Sequence, residues 1–148
     1  MRIVALDPGV TTGYAVGVVN DGLMTVTKTG QEVWSHQELW HQLHLAQPDA
    51  IVCESFEYRN SKQRAGLVLF SCELIGIVHL YCSPSYKSPT AKLYMQSAAK
   101  GKSYYSNQHL QNSGVYVRGI PHGMDALRHL LHWYTFGQGF ELNTKGFQ

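Results

Sequence analysis

Two four-residue apolar runs, each stopped by an acid, constrain this chain more than any other feature. Ile3-Val4-Ala5-Leu6 runs into Asp7, and Ala50-Ile51-Val52-Cys53 runs into Glu54. Runs this short and unbroken suit strands buried on both faces, as in parallel sheets covered by helices. A lone acid after a strand is ordinarily a turn former. Two acids in matching places, on strands that pair in parallel, emerge together at the carboxyl edge, where α/β sheets carry their sites.

Around these runs the chain alternates strand and helix signals. Asp7-Pro8-Gly9 marks a turn. Residues 13–19 and 23–29 read as strands joined by the tight turn Asn20-Asp21-Gly22, so the sheet opens as a meander. Residues 34–47 have helical spacing, with Ser35 as cap. A longer helix is predicted over 61–81, its stripe carried by Leu67, Phe70, Leu74, Ile77, Val78 and Tyr81. Val68, Leu69 and Ile75 lie off that stripe, which calls for a second cover, from a partner copy or from a deep position in the fold. Lys92 to Gln96 suits a last strand and Asn107 to Asn112 a short helix. Pro121 opens a final helix reaching about Tyr134. The expected fold class is α/β, one mixed sheet flanked by helices, with a domain over 1–136 and a flexible tail over 137–148.

Composition narrows the class. At 148 residues and 44% hydrophobic the chain supports one globular core. No stretch is apolar enough for a membrane span, and the N-terminus lacks the layout of a secretory signal, so an intracellular, cytoplasmic protein is expected. Cys53, Cys72 and Cys82 lack the CxxC spacing of zinc or redox motifs and are expected to be small buried residues. The net charge of +2 is unevenly spread. From Arg59 to Lys102 seven basic residues face one acid, Glu73, while the remainder carries five basic and nine acidic residues. Such a split fits a surface for a polyanion beside an acidic spot elsewhere, or an ordinary solvated basic face.

The final helix supplies the third part of a candidate site. His122 and Asp125 stand three apart and share one helical face, whereas Leu127, Leu130, Leu131 and Tyr134 face the core. His129 and His132 continue the polar side and read as groups behind the ligands or in solvent. His36, His41 and His44 on the first helix read as a solvated face. Three carboxylates converging with one imidazole repel each other unless a cation joins them. Hard oxygen donors suit Mg²⁺ or Mn²⁺ rather than structural zinc. Two such ions, roughly 3.5–4 Å apart, can activate water and stabilise the leaving oxygen of a phosphodiester.

The segment Asp7-Pro8-Gly9-Val10-Thr11-Thr12-Gly13-Tyr14-Ala15 resembles the first-strand motif of the RuvC family of Holliday-junction resolvases. Glu54 resembles that family's second acid, and His122-x-x-Asp125-Ala126-Leu127 resembles the paired residues of its last helix. The resemblance runs over about residues 1 to 135, with 59 to 119 matching only in element order and basic character. It implies a ribonuclease-H-like fold with a five-stranded mixed sheet. It implies a metal-dependent endodeoxyribonuclease with Asp7, Glu54, His122 and Asp125 as catalytic metal ligands, and probes of Mg²⁺ or Mn²⁺ as the ions to test, two per site. It further implies a homodimer that cleaves a four-way or other branched DNA junction, the long second helix contributing to the dimer contact. An aromatic in the loop after the second acid, Phe56 or Tyr58, would stack on an unpaired base. Arg59, Lys62, Arg64, Lys92, Lys100 and Lys102, with Tyr104 and Tyr105 beside them, are candidates for phosphate contacts. The compact form would suit a cellular, viral or mobile-element enzyme.

Three other readings remain open at the level of sequence. Asp7-x-Gly9-x-Thr11 also resembles the phosphate loop of actin-like ATPases and sugar kinases, but those need two such domains, so no nucleotide cofactor is expected. An RNA-processing nuclease of the same fold is the second, similar to the YqgF family or to ribonuclease H, whose extra acid on the first helix has Glu38 as its one interior candidate. The third is a branched-DNA-binding protein without catalysis.

Overall fold

The computed structural model describes residues 1–56, 65–86 and 91–137, with backbone alone for 65–68. Tyr58, Arg59, Lys62 and Arg64, the predicted start of the second helix at 61, and the tail from 138 lie outside the described residues. The elements are β1 (Arg2–Asp7), β2 (Thr12–Asn20), β3 (Leu23–Glu32), α1 (His36–Ala46), β4 (Ala50–Glu54), α2 (Ala65–Tyr81), β5 (Lys92–Gln96), α3 (Ala98–Tyr104), α4 (Asn107–Asn112) and α5 (Pro121–His132), which runs on into a π-helical turn, Trp133–Gly137.

The sheet is mixed and five-stranded, in the order β3-β2-β1-β4-β5. β1 pairs antiparallel with β2 and parallel with β4, and β4 pairs parallel with β5. The two acid-tipped runs are therefore central parallel neighbours, in the register Leu6 to Cys53. The meander forms as expected. Asp21 and Gly22 take φ values of 51° and 77°, the paired left-handed turn that matches strand twist. β3 is longer than its Thr- and Val-rich part suggests and reaches Glu32.

Side chains of the central strands alternate between two cores. Ile3, Ala5, Ala50 and Val52 face α5, packing with Leu127, Leu130, Leu131 and Trp133. Val4, Leu6, Ile51 and Cys53 face the other way, onto Leu39 and Leu43 of α1 and Leu74, Val78 and Tyr81 of α2. Burial on both faces is what made these runs continuously apolar.

Helix α1 starts at Ser35 with a reciprocal capping box. The Ser35 hydroxyl accepts from the Glu38 amide, and the Glu38 carboxylate accepts from the Ser35 amide at 2.7 Å. On α2, Leu69 and Leu80 are more than half exposed, Cys72 is exposed, and the space over Gly76 is open. Cys72 thus departs from the expectation that all three cysteines are buried, because it lies on the outward side of α2. Among the described residues no helix is long and apolar enough to cross a membrane.

Candidate active site

Pleat parity puts the acids where they are. Asp7 continues the series Ile3, Ala5 on β1, and Glu54 continues Ala50, Val52 on β4, so both side chains leave the sheet on the α5 face. Gln96 ends β5 in register with Glu54 and follows Tyr94, which packs on the same core. Helix α5 crosses this edge and adds His122, Asp125 and His129, spaced for one helical face.

Close approach of α5 depends on Gly13 at the start of β2. A Cβ there would lie 1.9 Å from the His122 carbonyl oxygen, so only glycine lets the first turn of α5 settle against the sheet. Next to it, Thr12 is fully buried and donates its hydroxyl to the Gly9 carbonyl at 3.0 Å, closing the turn that follows Asp7. The His122 amide, one of the free N–H groups of the helix start, donates to Gln31 of β3 at 3.0 Å.

Each carboxylate of the cluster meets a nitrogen base or cation. Asp7 Oδ2 is 2.9 Å from His122 Nδ1, and Glu54 Oε2 is 2.8 Å from His129 Nε2. Asp125 binds Lys102 Nζ at 3.1 Å and Arg128 Nη1 at 2.8 Å. Arg128 is itself fixed by the Tyr105 carbonyl at 2.7 Å and by Asn107. Among the described residues no three His, Cys, Asp or Glu side chains are grouped closely enough to hold one metal ion.

Charge on this wall is unevenly tolerated. Burial pushes the Asp7 carboxyl up to about 6, helped by the nearby Glu54 and Asp125 charges and opposed by His122. Burial also pushes Glu54 up, but hydrogen bonds from His129 and Asp7 and the Lys102 charge outweigh it and hold Glu54 below the usual carboxylate range. Of this acid pair Asp7 is the last to ionise as pH rises. Lys102 loses some basicity to burial and regains more from Asp125, Glu54 and Asp7, so its ammonium is held above the ordinary value. Three acids from three separate segments, with one carboxyl retaining its proton well above the usual range, form a donor set whose charge a divalent cation would neutralise.

The structure brings Asp7, Glu54, His122 and Asp125 to this one edge. Phe56 is partly exposed two residues beyond Glu54, and Lys102 reaches the carboxylates. Lys100 is exposed on the same short helix. Lys92 stands at the amino end of β5, the far end from the site, roughly 13 Å away at about 3.3 Å per residue. Reading the sequence missed Gln96 and helix α3, and it left the role of His129 undecided. His132 is partly buried away from the acids, its ring near Phe136 and Tyr104. Glu38 is committed to the α1 cap, on the helix that packs against the opposite face of the sheet. Of the α1 histidines, His41 and His36 are exposed, His36 meeting Glu73 at 2.6 Å, and the half-buried His44 meets the Tyr86 hydroxyl at 2.6 Å.

No known family model matches the chain, and no curated protein matches it by sequence. Solved structures do match. Thermus thermophilus RuvC, in complex with a Holliday junction substrate, is 19% identical at a TM-score of 0.60, covering 89% of this chain and 92% of that one. The Fowlpox virus resolvase, in complex with substrate Holliday junction DNA, is 12% identical at 0.62, covering 90% and 97%. The yeast mitochondrial Holliday junction resolvase is 14% identical at 0.64, covering 89% and 77%. The chain therefore has the ribonuclease-H-like fold of the RuvC-type Holliday junction resolvases.

Proposed function

We propose that this protein is a divalent-metal-dependent endonuclease that cleaves four-way or similarly branched DNA. One observation carries the reading: Asp7, Glu54, Asp125 and His122, from three distant segments, converge at the carboxyl end of the central parallel strands. The likeness to three resolvases, two of them solved with junction DNA, supports this choice of substrate class. Asp7, Glu54, His122 and Asp125 would hold Mg²⁺ or Mn²⁺, which supplies a nucleophilic water and charge stabilisation for phosphodiester hydrolysis.

The chain's own groups do the remaining work. Asp7 would bind the ion as its carboxylate and His122 through a deprotonated ring nitrogen, so both would compete with protons for it. Lys102, which pairs with Asp125 at this edge, would be placed to meet a phosphate oxygen. Arg128 keeps Asp125 oriented through its contacts with Tyr105 and Asn107. The outward stripe of α2, Leu69, Cys72, Gly76 and Leu80, supports a homodimer that would set two sites against a two-fold substrate. A ribonuclease H activity finds less support, because Glu38, the acid it would require, serves the cap on the other face.

The test is cleavage of an end-labelled four-way junction against linear duplex, an RNA–DNA hybrid and single-stranded RNA, with and without Mg²⁺. The expected result is Mg²⁺-dependent cutting of the junction. Asp7→Asn, Glu54→Gln and Asp125→Asn should each lower the rate by more than about a hundredfold, beyond the usual loss of an outer partner, while junction binding persists. Full activity of Asp7→Asn, or loss of binding with all three, would refute the reading.

A further inference from the structure

We infer that His129 is a positioning residue for Glu54, holding one oxygen of that carboxylate so that the other is presented to the reaction. The inference deepens the nuclease reading and rests on it. The His129 ring is fully buried, and both of its nitrogens are engaged. Nε2 lies 2.8 Å from Glu54 Oε2, and Nδ1 lies 2.9 Å from Gln96 Oε1. A third wall comes from α3. A Cβ on Gly101 would lie 3.0–3.3 Å from three atoms of the ring, so the glycine backbone is packed against the imidazole. The ring is therefore clamped between β4, β5 and α3, while its own backbone belongs to α5.

Chemistry assigns a direction to the clamp. An ionised carboxylate only accepts, so the Glu54 contact needs a proton on Nε2. At Nδ1 the ring faces the Gln96 side-chain oxygen, an acceptor for an Nδ1 proton; the amide turned end for end would instead donate to that nitrogen. Hydrogen bonds to an ionised acceptor are stronger than neutral ones, so Glu54 loses rotamer freedom. Such outer partners of working carboxylates and imidazoles fix their geometry. His129 differs in this from His122, whose side chain is 48% exposed and bonded to Asp7. It also explains why a short helix carries a glycine in its middle: Gly101 seats the ring, and Lys102 beside it reaches Asp125.

The test compares wild type, His129→Gln, His129→Leu and Gly101→Ala in single-turnover cleavage of a labelled four-way junction over a Mg²⁺ series. His129→Gln keeps an N–H donor. It should lose about tenfold in rate, and His129→Leu about a hundredfold, with the KM for the junction within about twofold of wild type. The Mg²⁺ concentration for half-maximal rate should rise in the same order. A purely structural role would lower thermal stability and leave that concentration unchanged. Should both His129 variants fail to fold, Gly101→Ala, which keeps the imidazole and displaces it, should show the same Mg²⁺ shift with about a tenfold loss. Wild-type rate and Mg²⁺ dependence in folded His129→Leu or Gly101→Ala would overturn the inference.

A separate readout keeps the two readings apart. In ¹H–¹⁵N spectra of the imidazoles, His129 should show a slowly exchanging Nε2 proton whose shift moves on Glu54→Gln. If wild type cleaves no nucleic acid, the nuclease reading fails, and the spectra decide the contact by themselves. An Nε2 proton in fast exchange, or one indifferent to Glu54→Gln, would overturn the inference.

Discussion

Among the described carboxylates, Asp7 is the one pushed clearly upward. Burial is the first reason its carboxyl is pushed up to about 6, and the Glu54 and Asp125 charges add to it. A raised carboxyl holds its proton more tightly in the folded chain than in the unfolded one. In metal-free buffer, stability is therefore retained below about pH 3.8 and falls as pH rises through about 6, by on the order of 3 kcal/mol in all. Asp7→Asn should accordingly raise the melting temperature by several degrees at pH 7.5 in EDTA and by little at pH 4. Equal gains at both pH values would contradict this account. Under the nuclease proposal the same proton would compete with a cation, so Mg²⁺-dependent cleavage should climb between pH 5 and 7, and a flat profile there would separate Asp7 from metal binding. These acids were legible from sequence because each follows an apolar run or a helical spacing. Gln96 and the task of His129 were not. Their meaning arises only when partners 33 and 75 residues away close around one ring.

Elements were legible where hydrophobic periodicity marks them. The meander, the buried runs, α1 and α5 all follow from strand alternation, turn residues, caps and stripes, and Pro121 opens α5 as expected. Helix α3 escaped because it docks by a glycine rather than by large apolar side chains; Gly101 is its buried residue, and glycine ordinarily argues against helix. The excess apolarity of the second helix is also explained at this scale. Leu74, Val78 and Tyr81 fill the core, whereas Leu69 and Leu80 stay 60% and 55% exposed on the outer side. Under the homodimer proposal, Leu69→Lys with Leu80→Lys should give a folded monomer by light scattering and circular dichroism, because two buried leucines contribute about 3–6 kcal/mol per protomer to an interface. The variant should nick junctions singly where wild type cuts paired strands. An unchanged dimer, or a wild-type monomer that makes paired cuts, would remove α2 from the interface.

At the scale of the whole molecule, likeness to the resolvases survives at 12–19% identity, so what the comparison carries is the fold. Substrate contacts are accordingly the part least accessible to pattern reading. Charge still discriminates among them through position. Lys100 lies exposed on α3, the helix whose Lys102 reaches the carboxylates, whereas Lys92 lies at the opposite end of β5. Phosphate contacts release counterions, and each one lost reduces the salt slope of binding by about 0.9 on duplex arms. Lys100→Gln should therefore flatten the dependence of junction affinity on salt by about one unit, measured in EDTA so that cleavage does not intervene. It should do so equally for junctions of different sequence, because a phosphate contact positions without reading bases. Lys92→Gln should leave the slope as it was, since DNA held at the acidic edge lies a strand length away. A slope that responds to Lys92 and ignores Lys100 would place the DNA on the other end of the sheet, away from the carboxylates, and binding there could not deliver a phosphodiester to Asp7 and Glu54.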